Sequence, residues 1–223
     1  MPTVLLVRHG QASFGTADYD VLSEVGERQA GLAAAAVERL GYRPTRLLCG
    51  TLRRQRDTAL AFGGGPEPEV DPRWNEYDSE EVLIHHSESA ARLSVGEGAE
   101  ALDNRSFQLV LEAAVEIWIA AGADSPTAQS WEGFRDAGAG ALADLSGGLG
   151  SGETAVVVTS GGVIAALVCG VLGSGPVAFN RLNRMVVNGS ITKLAVGSTG
   201  TNLASFNDHS HLEAVDRSLV TYR

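Results

Sequence analysis

Residues Val4-Leu5-Leu6-Val7 form an uninterrupted apolar run, and Arg8-His9-Gly10 follow it directly. Such a run reads as a buried strand. His9 then stands at the carboxyl end of a strand, where open α/β sheets place their ligands. A neutral imidazole there can attack phosphorus and carry the phosphoryl group covalently. Arg8 adds a permanent cation whose flat fork of donors suits phosphate, and Gly10 permits a sharp turn or a close approach to a ligand. Taken alone, such a tripeptide marks a structural histidine more often than a reactive one. A second cationic group, Arg53-Arg54-Gln55-Arg56, lies in an otherwise acidic chain. Three arginines in four positions commonly form a solvated helix face, yet a local patch of this kind can also attract a small anion.

Alternating strands and helices must position these residues. The stretch 18–41 reads as a turn and a helix, with Ser23 as its cap, Glu24 and Glu27 in its first turn and Gly41 as its stop. Residues 46–49 make a short second strand. Thr51 is the expected cap of a second helix, which runs to about residue 62 and ends at Gly63-Gly64-Gly65-Pro66. Residues 69–71 are a third strand. From about 79 to 150 the pattern is mostly helical, best at 101–121 and 131–145. Residues 154–159 are the strongest strand, rich in β-branched side chains. Ser160-Gly161-Gly162 and a helix over 163–172 follow, then late strands near 190–196 and 202–206. This order predicts an α/β fold of three layers, α/β/α, around a mainly parallel central sheet. It gives a single domain over 1–223, with a helical insertion at about 79–150 placed over the active site.

A chain of 223 residues supports one sizeable core with room for an insertion, and 44% hydrophobic residues is an ordinary globular composition. No stretch has the length of a membrane span, and the chain enters a strand almost at once, so a cytoplasmic protein without a leader is expected. Cys49 and Cys169 sit in apolar contexts and read as core residues rather than a disulfide or a metal pair. A net charge of −10 argues against nucleic acid as a partner. The histidines and cysteines show no metal-ligand spacing, and the loops 148–152 and 197–201 lack a Walker lysine. No metal, cofactor or membrane partner is implied; the expected partner is a small phosphorylated substrate, and a homodimer is left open.

Six segments, in order, resemble the histidine phosphatase superfamily, the phosphoglycerate-mutase-like proteins. They are LLVRHGQAS at 5–13, DYDVLSEVGERQA at 18–30, GTLRRQRDTA at 50–59, DPRWNEYD at 71–78, VVVTSGGVI at 156–164 and FNDHSHLE at 206–213. The resemblance implies a phosphohistidine at His9. Its leucine, one residue, arginine spacing selects Arg54 over Arg53 and Arg56. Arg8 and Arg54 would then hold the phosphoryl oxygens, and both would disfavour protonation of His9. The other ring nitrogen of His9 needs a fixed acceptor to set its tautomer. Glu76 matches the family's proton donor and would later activate water, with Asp78 as a weaker competitor. Ser13 and Gln11 can reach a phosphate oxygen from the first loop. His85 and His86 would lie at the substrate mouth or simply be exposed, and His209 and His211 would tie down the C-terminal tail.

The chain departs from the family where a second histidine usually follows the late strand: that place is held by Ser160. A serine is shorter and uncharged, and losing one well-placed donor costs on the order of 100- to 1,000-fold in rate. Ser160 could act through a water, the backbone amides of Ser160 and Gly161 at the helix start could compensate, or the pocket could mainly bind. Thr159 is a neighbouring hydroxyl. Ala12 and Gly15 also replace residues common in the family, and the extended loop of the glycolytic mutases is missing. The expected function is a metal-independent phosphomonoesterase acting on a small phosphorylated metabolite. The alternatives are a catalytically weak or inactive phosphate-binding pseudophosphatase and a phosphoglycerate-mutase-type phosphotransferase. A serine hydrolase built on Ser160 fits poorly, because a nucleophile elbow needs glycine where Val158 stands.

Overall fold

β-Branched and apolar residues without a break make Thr3–Arg8 the strand β1, whose residues Val4 to Val7 are at most 1% exposed. The computed structural model describes residues 1–13, 20–94 and 104–222. Gly15, the start of the turn expected from residue 18 and the first residues of the helix expected over 101–121 lie outside the described residues. After β1 come α1 (Glu24–Arg39), β2 (Arg46–Cys49), α2 (Arg53–Leu60), β3 (Glu69–Val70), α3 (Ser79–Ser94), α4 (Asn104–Ala121) and α5 (Trp131–Gly148). The chain continues through β4 (Thr154–Thr159), α6 (Gly161–Leu172), α7 (Phe179–Asn183), β5 (Ile191–Gly197), β6 (Gly200–Asp208) and α8 (Ser210–Glu213).

The six strands form one mixed, mostly parallel sheet in the order β3-β2-β4-β1-β5-β6. The first four strands run parallel to one another, and β5 runs antiparallel to both of its neighbours, β1 and β6. Burial on both faces is what makes β1 and β4 read as continuous apolar runs. Leu5 and Val7 of β1, Val156 and Val158 of β4, and Leu47 and Cys49 of β2 share one core with Ala33, Ala36 and Val37 of α1 and Ala59 of α2. Small residues on α1 let that helix lie close to the sheet. Val4 and Leu6 point to the opposite face by strand alternation. The apolar helix α6, buried from Gly161 through Cys169, packs against β1 and β6.

The helix ends follow local chemistry, with one correction. Ser23 caps α1 by accepting from Gly26 N–H at 3.1 Å, and Gly41 beyond its end takes φ +81°. Thr51, however, does not cap α2. The Asp20 carboxylate does so from across the fold, accepting from Arg53 N–H at 2.6 Å, while Thr51 Oγ1 accepts from Asn75 Nδ2 at 2.7 Å. A remote carboxylate serves the same orphan donors as a local hydroxyl and adds a full charge at the positive end of the helix.

Met1–Glu76 and Gly138–Arg223 together make one compact unit, and Tyr77–Ala137 make a second. Within the second unit the rings of Tyr77, Trp118, Trp131 and Phe134 pack with centroids 5.3 to 6.0 Å apart. Trp118 Nε1 donates to Thr127 Oγ1 and to Gln129 O, both at 3.0 Å, so the polar edge of the cluster is satisfied. No helix among the described residues is long and apolar enough to cross a membrane.

Candidate active site

Parallel pairing brings two strand ends to one place. Arg8 of β1 is in register with Thr159 of β4, and His9 N–H continues the ladder onto Thr159 O at 2.9 Å. The residues that follow β1 and β4 therefore leave the same edge of the sheet, at the carboxyl ends of its central strands.

His9 is buried, and both of its ring nitrogens are engaged. Nδ1 lies 2.7 Å from Gly10 O, a group that can only accept, so Nδ1 carries the proton. Arg54 Nε, which can only donate, reaches His9 Nε2 at 3.1 Å. The ring is thus a neutral tautomer with its lone pair on Nε2, directed at the guanidinium. Burial holds the imidazole pKa well below its ordinary value, the charges of Arg54 and Arg8 push it further down, and the Gly10 carbonyl opposes them. The main chain around His9 is fixed as well. Gly10 N–H donates to Thr58 Oγ1 at 3.0 Å, and Asn188 Nδ2 donates to His9 O at 3.2 Å.

Among the three neighbouring arginines, Arg54 alone turns inward. Its side chain is 12% exposed and its Nη1 sits 2.6 Å from Asp20 Oδ1. Arg53 and Arg56 are exposed, with Arg53 pairing loosely to Asp57 one turn on. Arg8 donates through Nη1 to Val186 O. A Cβ at Gly161 would lie 3.6 Å from Arg8 Nε and 2.9 Å from Asn183 Oδ1, so the first residue of α6 packs directly beside the Arg8 guanidinium. Glu76 joins the same helix start by accepting from Gly162 N–H at 2.9 Å. The structure therefore links Arg8, His9, Arg54, Glu76 and the start of α6 within one compact unit: two guanidinium groups, a neutral imidazole, a carboxylate and a helix N-terminus.

The other residues singled out by sequence are placed as follows. Ser160, the N-cap residue of α6, is fully buried, and its Oγ accepts from Gln55 Nε2 at 2.9 Å. Thr159 Oγ1 donates to Trp74 O at 2.6 Å. Ser13 is half-buried with its N–H on Val21 O, and Gln11 Oε1 accepts from Ser23 Oγ. Asp78 is exposed and accepts from Glu81 N–H at the start of α3. His85 is exposed, while His86 is buried with Nε2 3.2 Å from Ser125 Oγ. His209 Nδ1 bonds Asn207 O, and His211 Nε2 donates to Gly189 O at 3.1 Å. Gly189 N–H in turn bonds the Arg8 and His9 carbonyls, so the C-terminal histidine supports the loop that seats the first strand's end. Cys49 and Cys169 are buried free thiols.

Sequence reading assigned no role to the supporting residues. Asp20 orients Arg54, Thr58 holds both Gly10 N–H and Arg54 O, and Gln29 links Gln11 N–H to the Leu219 carbonyl. Asn207, in the left-handed region at φ +57°, accepts from Val187 N–H and donates to Met185 O, which fixes the turn that gives Arg8 its carbonyl partner. The available signal was their setting: each is a polar residue inside a segment already marked by motif.

Comparison with known proteins agrees with this fold. A model of the histidine phosphatase superfamily (branch 1) matches residues 4–209. No curated protein matches the sequence. Among solved structures, a phosphoserine phosphatase mutant from Entamoeba histolytica, in complex with phosphoserine, superposes with a TM-score of 0.68 at 20% identity, covering 95% of this chain and 100% of that one. A mycobacterial glucosyl-3-phosphoglycerate phosphatase superposes with a TM-score of 0.64 at 23% identity, over 92% and 98% of the two chains. The Bacillus stearothermophilus protein YhfR gives 0.67 at 21% identity, over 95% and 100%. At these identities the likeness establishes the fold.

Proposed function

The chain belongs to the histidine phosphatase superfamily, branch 1, and from that we propose a metal-independent phosphomonoesterase that hydrolyses a small phosphorylated metabolite through a phosphohistidine at His9. The observation that carries the reading is the neutral, Nδ1-protonated His9 with its Nε2 lone pair facing Arg54. A phosphoryl group bound there displaces the Arg54 Nε contact, so that Arg54 and Arg8 take the equatorial oxygens. Nε2 then forms a bond to phosphorus as the ester P–O bond breaks, and Glu76 gives its proton to the departing alkoxide. In the second half, the Glu76 carboxylate takes a proton from water, the water oxygen attacks phosphorus, and the P–N bond breaks to return free His9. Solved structures of this fold are described as complexes with phosphoserine, 3-phosphoglyceric acid and inorganic phosphate, which supports a small phosphorylated substrate.

Ser160 enters this scheme through its backbone. With its hydroxyl buried and engaged by Gln55, the account favoured is that the amides at the start of α6, at Ser160 and Gly161, stand in for the missing imidazole. Ser13 is the further candidate on the loop after β1. The same burial supports a second reading, a phosphate-binding protein with weak or no turnover. Hydrolysis of an aryl phosphate by wild type and by His9→Ala tests the proposal. The expected result is a loss of at least about 1,000-fold in kcat; equal rates would remove the phosphohistidine mechanism, and tight phosphate binding without turnover in wild type would favour the second reading.

A further inference from the structure

We propose that Gln55 is a positioning residue of this site, holding Arg54, the Glu76 segment and the start of α6 together through the Ser160 hydroxyl; the inference rests on the phosphatase reading above. Gln55 follows Arg54 on α2 and is completely buried. Its Nε2 donates to Ser160 Oγ at 2.9 Å and to Trp74 O at 3.0 Å, which uses both of its hydrogens. One amide thus joins three stretches of chain. The first is α2, where Arg54 is the adjacent residue. The second is the segment after β3, where Trp74 lies two residues before Glu76. The third is the start of α6, where Ser160 lies two residues before Gly162, the donor to Glu76.

Two further observations separate positioning from simple filling of the core. Serine is a preferred helix cap, yet Ser160 makes no side-chain cap bond to α6, its Oγ receiving Gln55 instead. Gln55 Oε1 is buried without a hydrogen-bond partner, and a Cβ on Gly50 would lie only 2.0 Å from it. A buried amide with an unsatisfied acceptor is a poor stabiliser, and an apolar chain of equal length avoids that penalty. Trp74 O would still accept from Thr159 Oγ1 at 2.6 Å after such a change. The bond to the buried Ser160 Oγ stabilises the core and the orphaned Oε1 offsets it, so the placement of the amide between Arg54 and Glu76, rather than net core stability, accounts for it.

The test compares wild type, Gln55→Met, Gln55→Glu and His9→Ala, using kcat and KM on p-nitrophenyl phosphate together with Tm. For Gln55→Met the expected result is a fall of about 10- to 100-fold in kcat with KM little changed, and a Tm within about 3 °C of wild type or above it. Gln55→Glu loses both donors when ionised and regains one on protonation, so its kcat should recover toward acid pH relative to wild type. Unchanged kcat in Gln55→Met or a loss confined to KM would overturn the assignment. Should Gln55→Met not fold, the pH profile of Gln55→Glu decides, and a profile parallel to wild type overturns it. Turnover that survives His9→Ala removes the phosphohistidine reading on which the inference rests. Turnover that needs His9 but ignores Gln55 removes only the positioning role. A wild type without turnover removes the phosphatase reading and the positioning role together.

Discussion

His9 and Arg54 are held by partners that leave them one arrangement. Arg54 and Thr58 lie one helical turn apart on α2 and so share a face; Thr58 Oγ1 bonds Arg54 O and Gly10 N–H, which locks the arginine's helix to the histidine's loop. Asp20 then fixes the guanidinium from the other side. Glu76 carries a prediction of its own. If it supplies the leaving-group proton, Glu76→Gln should lower kcat/KM, which reports the phosphorylation half alone, by about 100-fold or more for alkyl phosphates and much less for p-nitrophenyl phosphate, whose leaving group needs little protonation. Equal losses on both substrates would argue for a role in binding alone. His9, Arg54 and Glu76 were legible in sequence because each sits in a short contiguous motif. Asp20 and Gln55 were not, because their partners lie 33 and 105 residues away in the chain. No local pattern encodes such a bond.

The elements meet at a glycine crossing. A Cβ on Gly10 would lie 2.2 Å from Gly26 O, and one on Gly26 would lie 2.1 Å from Gln11 O. The loop after β1 and the first turn of α1 therefore touch through bare backbone, and this contact sets where His9 leaves the sheet. Gly10→Ala must move one of the two backbones. Its predicted cost is about 1–3 kcal/mol, read as a lower urea midpoint at unchanged slope, with activity lost in the fraction that stays folded. A midpoint equal to wild type would show that the crossing is slack. The alternation of strands and helices could be read from residue types: β2 spans the expected 46–49, and β4 the expected 154–159. The first turn of α2 could not, because its cap arrives from Asp20 rather than from the neighbouring Thr51. The helix α6 begins two residues earlier than expected, since Gly161 and Gly162 lower helix propensity in isolation but give the close approach to Arg8 and Asn183 that the packing requires at Gly161.

Across the whole molecule, the buried histidines tie stability to pH. Burial lowers the pKa of His9, His86 and His211 in the folded protein. A histidine with a depressed folded pKa binds its proton more readily unfolded, so its contribution is full above about pH 6.5 and is lost as pH falls below that value. Tm should therefore drop between pH 7.5 and 5, and His9→Gln should show a smaller drop than wild type over the same range. Identical slopes would mean that His9 is not kept neutral by the fold. The three-layer architecture was open to sequence reading because the six motif segments extend from residue 5 to residue 213, and the family match spans 4–209. The ring cluster of the Tyr77–Ala137 unit was not, because Tyr77 and Trp118 join the helical pair Trp131 and Phe134 from separate stretches of chain, 41 and 13 residues apart, which no local period links. The decisive measurement is mass spectrometry of the enzyme quenched in alkali during turnover of a phosphate ester, since phosphohistidine survives base. A single phosphoryl group on the peptide that contains His9, absent from His9→Ala, is the predicted result. A turning-over enzyme with no phosphoryl group on that peptide, or with one on Ser160, would contradict the account.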